Sequence, residues 1–365
     1  MKKQLALPLR ILKWLLVIIA ILVAIVFLYF IILTIVEYRP QDVEPITTEA
    51  SLSGETKSLA VGDEVSVVTW NIGYCGLSKT ADFFMDGGKA VRSQDEKSVK
   101  NNLSAIEDTL KFLNPDVIYI QEVDVNSTRS YGIDQTKDLR TNLSEYSSAF
   151  AKNFDVLWIA YPIPPMGHML AGVQTLSKYP QTNAERIALP NPFSWPVRTG
   201  NLKRCLLVSR TPIEGTDKEL VFVNLHLEAY DSGEGKIAQT KLLSSFIQEE
   251  YEKGNYVIAG GDFNQTFSGV DASVYPVLGE DYWKAGLIEE GDFADGWQFE
   301  MDTTHPTCRS LDKPYAGNEG EFQFYMLDGF IVSKNLTVDR IETIDEGFEN
   351  SDHNPVFLKV KIEEE

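Results

Sequence analysis

An α/β sandwich of mixed β-sheets, preceded by one transmembrane helix, is the fold class this sequence predicts, and three observations predict it. Short β-branched runs recur from about residue 65 to residue 360 of the 365-residue chain. Stretches of helical period fall between them without the strict strand-helix-strand alternation of a doubly wound or barrel fold. Near the start lies an uncharged apolar run far longer than any core strand or helix requires.

That run extends from Trp14 to Val36, and at about 1.5 Å per helical residue it reaches about 34 Å, enough to cross a hydrocarbon layer of about 30 Å. Glu37, Tyr38, Arg39 and Pro40 follow it, not the small residues of a cleavage site, so the span reads as an uncleaved anchor over residues 14–36. Lys2, Lys3, Arg10 and Lys13 ahead of it predict a cytoplasmic segment at residues 1–13 and place the rest outside the cell membrane. Residues 37–63, rich in Pro, Thr, Ser and Glu, read as a flexible tether. Residues 64–363 then form one large body, expected to be a monomer, and Glu364 and Glu365 continue its solvated acidic end.

Within the body, Val65 to Ile72 is the first predicted strand. Val99, Leu103, Ile106, Leu110 and Leu113 then recur at steps of four and three, and Asn114-Pro115 closes this amphipathic helix. Further strands are expected at 117–120, 154–159, 172–176, 204–209, 220–225, 256–259, 327–332 and 356–360, with a helix at 237–247. Residues 268–321 read as a long, partly structured or functional loop.

The formal charge is −20, and it is unevenly placed, since no acid offsets Lys2, Lys3, Arg10 and Lys13 ahead of residue 37. Such a body repels polyanions, so charge gives a nucleic-acid partner no support, although it does not exclude one. Cys75, Cys205 and Cys308 are odd in number and form no metal spacing, so they read as buried thiols.

Chemistry concentrates at the ends of the apolar runs. Asn71, Glu122, His226, Asp262 with Asn264, and Asp328 each stand at such an end, and Ser351-Asp352-His353-Asn354-Pro355 precedes the last run. Taken singly these are a turn cap, solvated acids and a hydrogen-bonded histidine. Taken together they are groups that a sandwich gathers at one rim. Oxygen donors on Glu122, Asp352 and Asn71 suit a hard cation such as Mg²⁺, and two histidines beside carboxylates supply acid/base capacity near neutral pH. A metal, an activated water and donors aimed at an anion are what phosphoester hydrolysis needs.

The segments TWNIG, IQEVD, NLHLEAYD, GGDFNQ, YMLDGFIVS and SDHNP resemble, in order, those of the endonuclease/exonuclease/phosphatase superfamily. The resemblance spans about residues 65–360 and implies a four-layer fold, two packed mixed sheets flanked by helices, and a metal-dependent phosphohydrolase. It implies Glu122 as principal Mg²⁺ ligand (Mn²⁺ or Ca²⁺ being alternatives), helped by Asn71 and Asp352. His353, oriented by Asp328, is similar to the residue that activates water or holds the phosphate. Asp262 and Asn264 are similar to the pair that positions nucleophile and phosphate, and His226 to a second donor; whether Asp262 or His353 takes the proton stays open. His226 and the Leu227–Asp231 segment after it are more similar to bacterial sphingomyelinase and phosphatase members than to abasic-site endonucleases, which place a tyrosine near this point.

The expected function is therefore water attack on a phosphoester, diester or monoester, by a membrane-anchored hydrolase whose substrate includes membrane lipid as a candidate. A nuclease of the same fold is the alternative, and a tethered binding module without catalysis a more distant one. Two readings stay open for Phe193 and Trp195: contact with the bilayer, or folding into a surface loop. Phe83 to Lys89 with Arg92 is expected either to place amides and two cations beside a phosphate or to form a plain turn. His168 and His305 read as structural.

Overall fold

The computed structural model describes residues 6–280, 282–317 and 319–363. Lys2 and Lys3 of the expected cytoplasmic segment, and Glu364 and Glu365 of the acidic end, lie outside the described residues.

The strands form two large sheets. One has seven strands in the order Val43–Pro45, Thr182–Ala188, Cys205–Pro212, Glu219–His226, Tyr256–Asp262, Asp328–Val332 and Gln298–Glu300. The other has six: Leu336–Thr343, Val356–Ile362, Glu64–Asn71, Val117–Asp124, Gly167–Ser177 and Ser147–Ile159. Each sheet mixes parallel and antiparallel pairs.

The layering follows from alternation along strands apolar on both faces. Val65 and Val67 point inward to meet Phe222, Ile258 and Phe330 of the opposite sheet, while Val68 and Trp70 point outward to Val99, Leu103 and Ile106. Those last residues line helix α2 (Glu96–Leu113), after the apolar helix α1 (Ala6–Ile35). The short α3 (Gln135–Asn142) packs beside α2, and α4 (Glu234–Glu252) covers the seven-stranded sheet through Leu243 and Ile247. Helix, sheet, sheet and helix thus make four layers. Each fully buried Val, Leu, Ile or Phe contributes about 1.5–3 kcal/mol.

α2 matches its expected span, with Asp95 accepting from Ser98 N at its start and Asn114 left-handed at its end. α4 runs longer than expected, and α3 and the Val43–Pro45, Thr182–Ala188 and Leu336–Thr343 strands were not foreseen. The 268–321 loop is partly structured, carrying several 3₁₀ turns and short strands.

The expected flexible tether is corrected outright. Val43–Pro45 pairs antiparallel with Thr182–Ala188, Glu49 bridges Ser148, and Leu59 is buried in the inter-sheet core. An edge strand offers a row of unpaired backbone groups, and this segment satisfies them with its own backbone, a signal that apolar composition does not carry. α1 starts at Ala6, ahead of the expected Trp14, and is long and apolar enough over Pro8–Ile35 to cross a membrane, with mean hydropathy 3.5 in its most apolar 18 residues.

One ion cluster fastens α4 to its sheet. Arg210 donates to both oxygens of Glu250 (2.6 and 3.0 Å), joined by Lys253 (2.8 Å) and Asn255 (2.9 Å). Burial alone would raise Glu250, but these donors outweigh it and hold the carboxyl at about 2, below an ordinary 4.5. The depressed value makes the stabilisation full above about pH 4.5 and lost as pH falls toward 2. Glu250→Gln is expected to cost about 3 kcal/mol at neutral pH and to flatten this acid limb in chemical denaturation; an unaltered limb would count against the cluster.

Candidate active site

Strand pairing assembles the site. The parallel pair Glu64–Asn71 and Val117–Asp124 sets Asn71 beside Gln121, and Glu219–His226 with Tyr256–Asp262 sets His226 beside Asp262. The Asp328–Val332 strand runs antiparallel and starts opposite Asp262. The chain ends of four strands and one strand start therefore share a rim.

Local backbone choices complete it. Glu122 sits in a bulge between Ile120 and Val123 with φ 55°, and Asn264 has φ 52°. Left-handed backbone costs such residues about 1–2 kcal/mol each, and the surrounding sheets must hold it. Gly261, before Asp262, is a required glycine, since a Cβ there would lie 1.9 Å from Leu225 O. At Gly73, with φ +47°, a Cβ would meet Asp352 Oδ1 at 2.7 Å. Ser351 Oγ donates to Asn71 O (2.8 Å) and Trp70 Nε1 to His353 O (2.9 Å), so the Ser351–Pro355 segment is pinned to the Glu64–Asn71 strand.

Asp262 is the shared centre. Its Oδ2 accepts from Asn71 Nδ2 at 2.9 Å and lies 3.4 Å from His226 Nε2 and 3.8 Å from His353 Nε2. Its Oδ1 accepts from Asn264 N at 2.9 Å, while Asn264 Nδ2 donates to Leu227 O. His353 Nδ1 is 2.7 Å from Asp328 Oδ2. All of these side chains are nearly fully buried.

The environments drive the titrating groups apart. Burial favours a neutral His353, but Asp328 outweighs it and holds the imidazole well above its ordinary value. Burial, with the charges of Arg204 and His353, keeps His226 well below its own. Burial first, then the charge of Asp328, raises Asp262 to about 6 against the pull of His353 and the Asn71 hydrogen bond. Burial lifts Cys308 to about 12, so it stands beside His353 as a neutral thiol.

Glu122 and Asp352 supply the remaining oxygens. Burial raises Asp352 to about 7 although His353 lowers it, and Glu122 adds to the rise. Ser351 Oγ reaches Asp352 Oδ1 only at 3.4 Å, so this buried acid is poorly served by hydrogen bonds. Two neighbouring carboxylates, one of them deeply buried, fit a hard divalent cation. Asn71 donates to Asp262 and, at 3.5 Å, to Glu122, and its Oδ1 accepts from Gly73 N with one lone pair left over.

Seven of the eight sequence-picked residues line one cleft of about 490 Å³, among them Asn71, Glu122, His226, Asp262, Asn264 and Asp352. His353 lines it too, and Asp328 stands behind His353. His168 contacts Asn126 O, and His305 pairs with Asp345, both away from the cleft lining. Of the two readings left open for Phe83–Arg92, the one with two cations beside a phosphate is corrected: Phe83, Met85, Asp86 and Gly87 line the cleft, whereas Arg92 donates to Pro165 O. Sequence reasoning also missed Arg129, which pairs with Asp124 at 2.9 Å and Glu122 at 3.4 Å, and Arg204, which holds His226 O. Arg204 stands just before the Cys205–Pro212 strand and Arg129 in a 3₁₀ turn, positions without a pattern to mark them.

A family model described as the Endonuclease/Exonuclease/phosphatase family matches residues 68–353. The chain belongs to this family. Among solved structures, an endonuclease/exonuclease/phosphatase from Beutenbergia cavernae is similar at 18% identity and TM-score 0.54, over 82% of this chain and 72% of that one. A functionally unknown conserved protein from Enterococcus faecalis is similar at 17% and 0.51, over 82% of this chain and 100% of that one. D. rerio TDP2 complexed with single strand DNA product is similar at 16% and 0.50, over 82% and 99%. At these identities the likeness shows the family's fold and nothing finer. No curated protein sequence matches the chain.

The His353–Asp328 contact makes a measurable claim. In histidine NMR titrations of metal-free protein, His353 is expected to keep its proton well above its ordinary range, and Asp328→Asn to lower that value by more than one unit. An unshifted His353 in the variant would show that Asp328 does not set its charge.

Proposed function

We propose that the protein is a divalent-metal-dependent phosphoester hydrolase, anchored in a membrane by α1. The observation that carries this reading is the buried Asp262 carboxylate at one rim, 3.4 Å from His226 Nε2 and 3.8 Å from Nε2 of His353, whose other ring nitrogen is held by Asp328. Glu122 and Asp352, with Asn71 beside them, would hold the cation, taken as Mg²⁺ for its all-oxygen donors. When bound, it supplies charge neutralisation at the phosphoryl group and a more acidic water.

The chain's own residues do the rest. Asp262 accepts the proton of the attacking water, its carboxylate aimed by Asn71 and Asn264. His353, kept protonated by Asp328, offers Nε2–H to a phosphoryl oxygen. Neutral His226 faces the same carboxylate from the adjacent strand and offers a second, uncharged contact. Arg129, which also lines the cleft, pairs with Glu122.

A nuclease of the same fold is the second reading, supported by the resemblance to D. rerio TDP2 complexed with single strand DNA product. The excess of 53 acidic over 33 basic residues weighs against it.

With Mg²⁺, the protein is expected to hydrolyse a chromogenic phosphodiester, and Glu122→Gln or Asp262→Asn to lower kcat by about 10²–10⁴ with unchanged circular dichroism. Full turnover in both variants would refute the site. Rapid nicking of plasmid DNA at matched Mg²⁺, without ester turnover, would favour the nuclease.

A further inference from the structure

α1 is not a free stalk. Leu33, in its last turn, is buried against Phe154, Val156 and Met169 of the domain. Tyr29 Oη donates to Trp158 O (2.9 Å), and Trp195 Nε1 donates to Thr34 Oγ1 (3.0 Å) while its ring meets Phe30 edge-on. Glu37, just past the helix, is buried among Arg39 (3.1 Å), Arg198 (3.3 Å) and Lys203 (3.4 Å). A few residues later Val43–Pro45 enters the sheet. Packing, hydrogen bonds, ion pairs and strand pairing together fix the direction of the helix relative to the domain.

Around this joint the domain exposes apolar side chains that its own core does not cover. Ile163 is 93% exposed and Tyr161 74%, and Leu157, Trp158, Trp195 and Val197 are each about half exposed. Clustered exposure of this kind marks an interaction surface, and its aromatics are of the type that settles at a lipid–water boundary. The ridge reaches the level of Tyr29, six residues before the helix ends at Ile35, which is about 9 Å along the axis. An interfacial apolar element buries itself about 5–10 Å, so the same lipid that surrounds α1 would meet the ridge. A protein partner there would have to displace that lipid.

The ridge also adjoins the cleft. Ile159 and Met166, which flank it, and Leu202 line the active-site cleft, and Tyr161 touches Phe84 next to the cleft residues Phe83 and Met85. Strand register agrees: Asp124 pairs with Ala171 and Val117 with Ser177, so the Gly167 end, next to the ridge, lies at the Glu122 end of the sheet. Exposed apolar side chains therefore stand both beside α1 and next to residues that line the site.

We propose that residues 157–163 with Trp195 and Val197 dip into the bilayer that α1 spans, hold the cleft mouth against the head groups, and select as substrate a phosphoester whose lipid portion stays in the membrane. This rests on the hydrolase reading and names its substrate class. The bond broken is the one the site already addresses: water adds to phosphorus, the ester oxygen leaves with a proton, and no further reactant is required.

The full chain, reconstituted in vesicles of phosphatidylcholine with about one fifth phosphatidylglycerol, tests this in two ways. The native cysteines are buried, so Ile163→Cys and Phe112→Cys can each carry an environment-sensitive fluorophore. Phe112 is equally apolar and 88% exposed, but it sits near the Val117 end of the sheet, opposite the site. Lipid-borne quencher is expected to quench the label at 163 at least fivefold more than that at 112; equal quenching overturns the ridge insertion whatever the activity. The double variant Ile163→Glu with Val197→Glu is expected to lose at least tenfold of vesicle phospholipid turnover while hydrolysing a soluble chromogenic phosphodiester within twofold of wild type. Wild-type turnover of the soluble ester without any vesicle turnover, or equal losses on both, overturns the lipid substrate. Absence of soluble turnover in the wild type defeats the hydrolase reading itself, and the label experiment still decides the insertion.

Discussion

A single carboxylate, Asp262, carries the organisation of the site. It ends the Tyr256–Asp262 strand, and register in both directions brings partners to it: His226 from a parallel neighbour, Asp328 from an antiparallel one. The second sheet contributes Asn71 at 2.9 Å and, through the Ser351–Pro355 segment, His353. A one-residue slip in any of these pairings would turn the side chain to the opposite face. The apolar runs that make the sheets rigid are thus what make the polar rim possible, and the strain at Glu122 and Asn264 is tolerated because those sheets impose it.

The same burial that holds the groups divides their chemistry. Asp328, wholly buried, keeps His353 charged, while His226, equally buried but without a carboxylate as close, stays neutral. Burial first, and then like charges crowded against one another, lift Asp262 and Asp352 toward neutrality. Both a divalent ion and a proton can relieve that crowding, and a hydrolytic site uses both.

Strands that are buried on both faces were legible, because Val65 to Ile72 and Val117 to Ile120 are continuous apolar runs with polar stops. The polar stops themselves marked Asn71, Glu122, His226, Asp262 and Asp328. Elements whose role is backbone pairing were not legible: residues 37–63 look like a tether because Val43–Pro45 contributes hydrogen bonds more than apolar area. Thr182–Ala188 was missed for a similar reason, its burial being partial and its Arg186 reaching backward to Lys152 O and Lys203 O. Arg129 and Arg204 escaped notice because an arginine's partner is set by folding, and the sequence shows only the arginine. The short loop of Asp86 showed its glycines but not that its acid, rather than its cations, faces the cleft.

The central claim is that Glu122 and Asp352 make this rim a divalent-cation site that serves a hydrolytic carboxylate. Calorimetric titration of Mg²⁺ into the full-length protein tests it most directly, with Asp352→Asn alongside. The account predicts one saturable binding event in the wild type and its loss in the folded variant. Identical titrations for the two proteins, or no binding to a folded wild type, would contradict it.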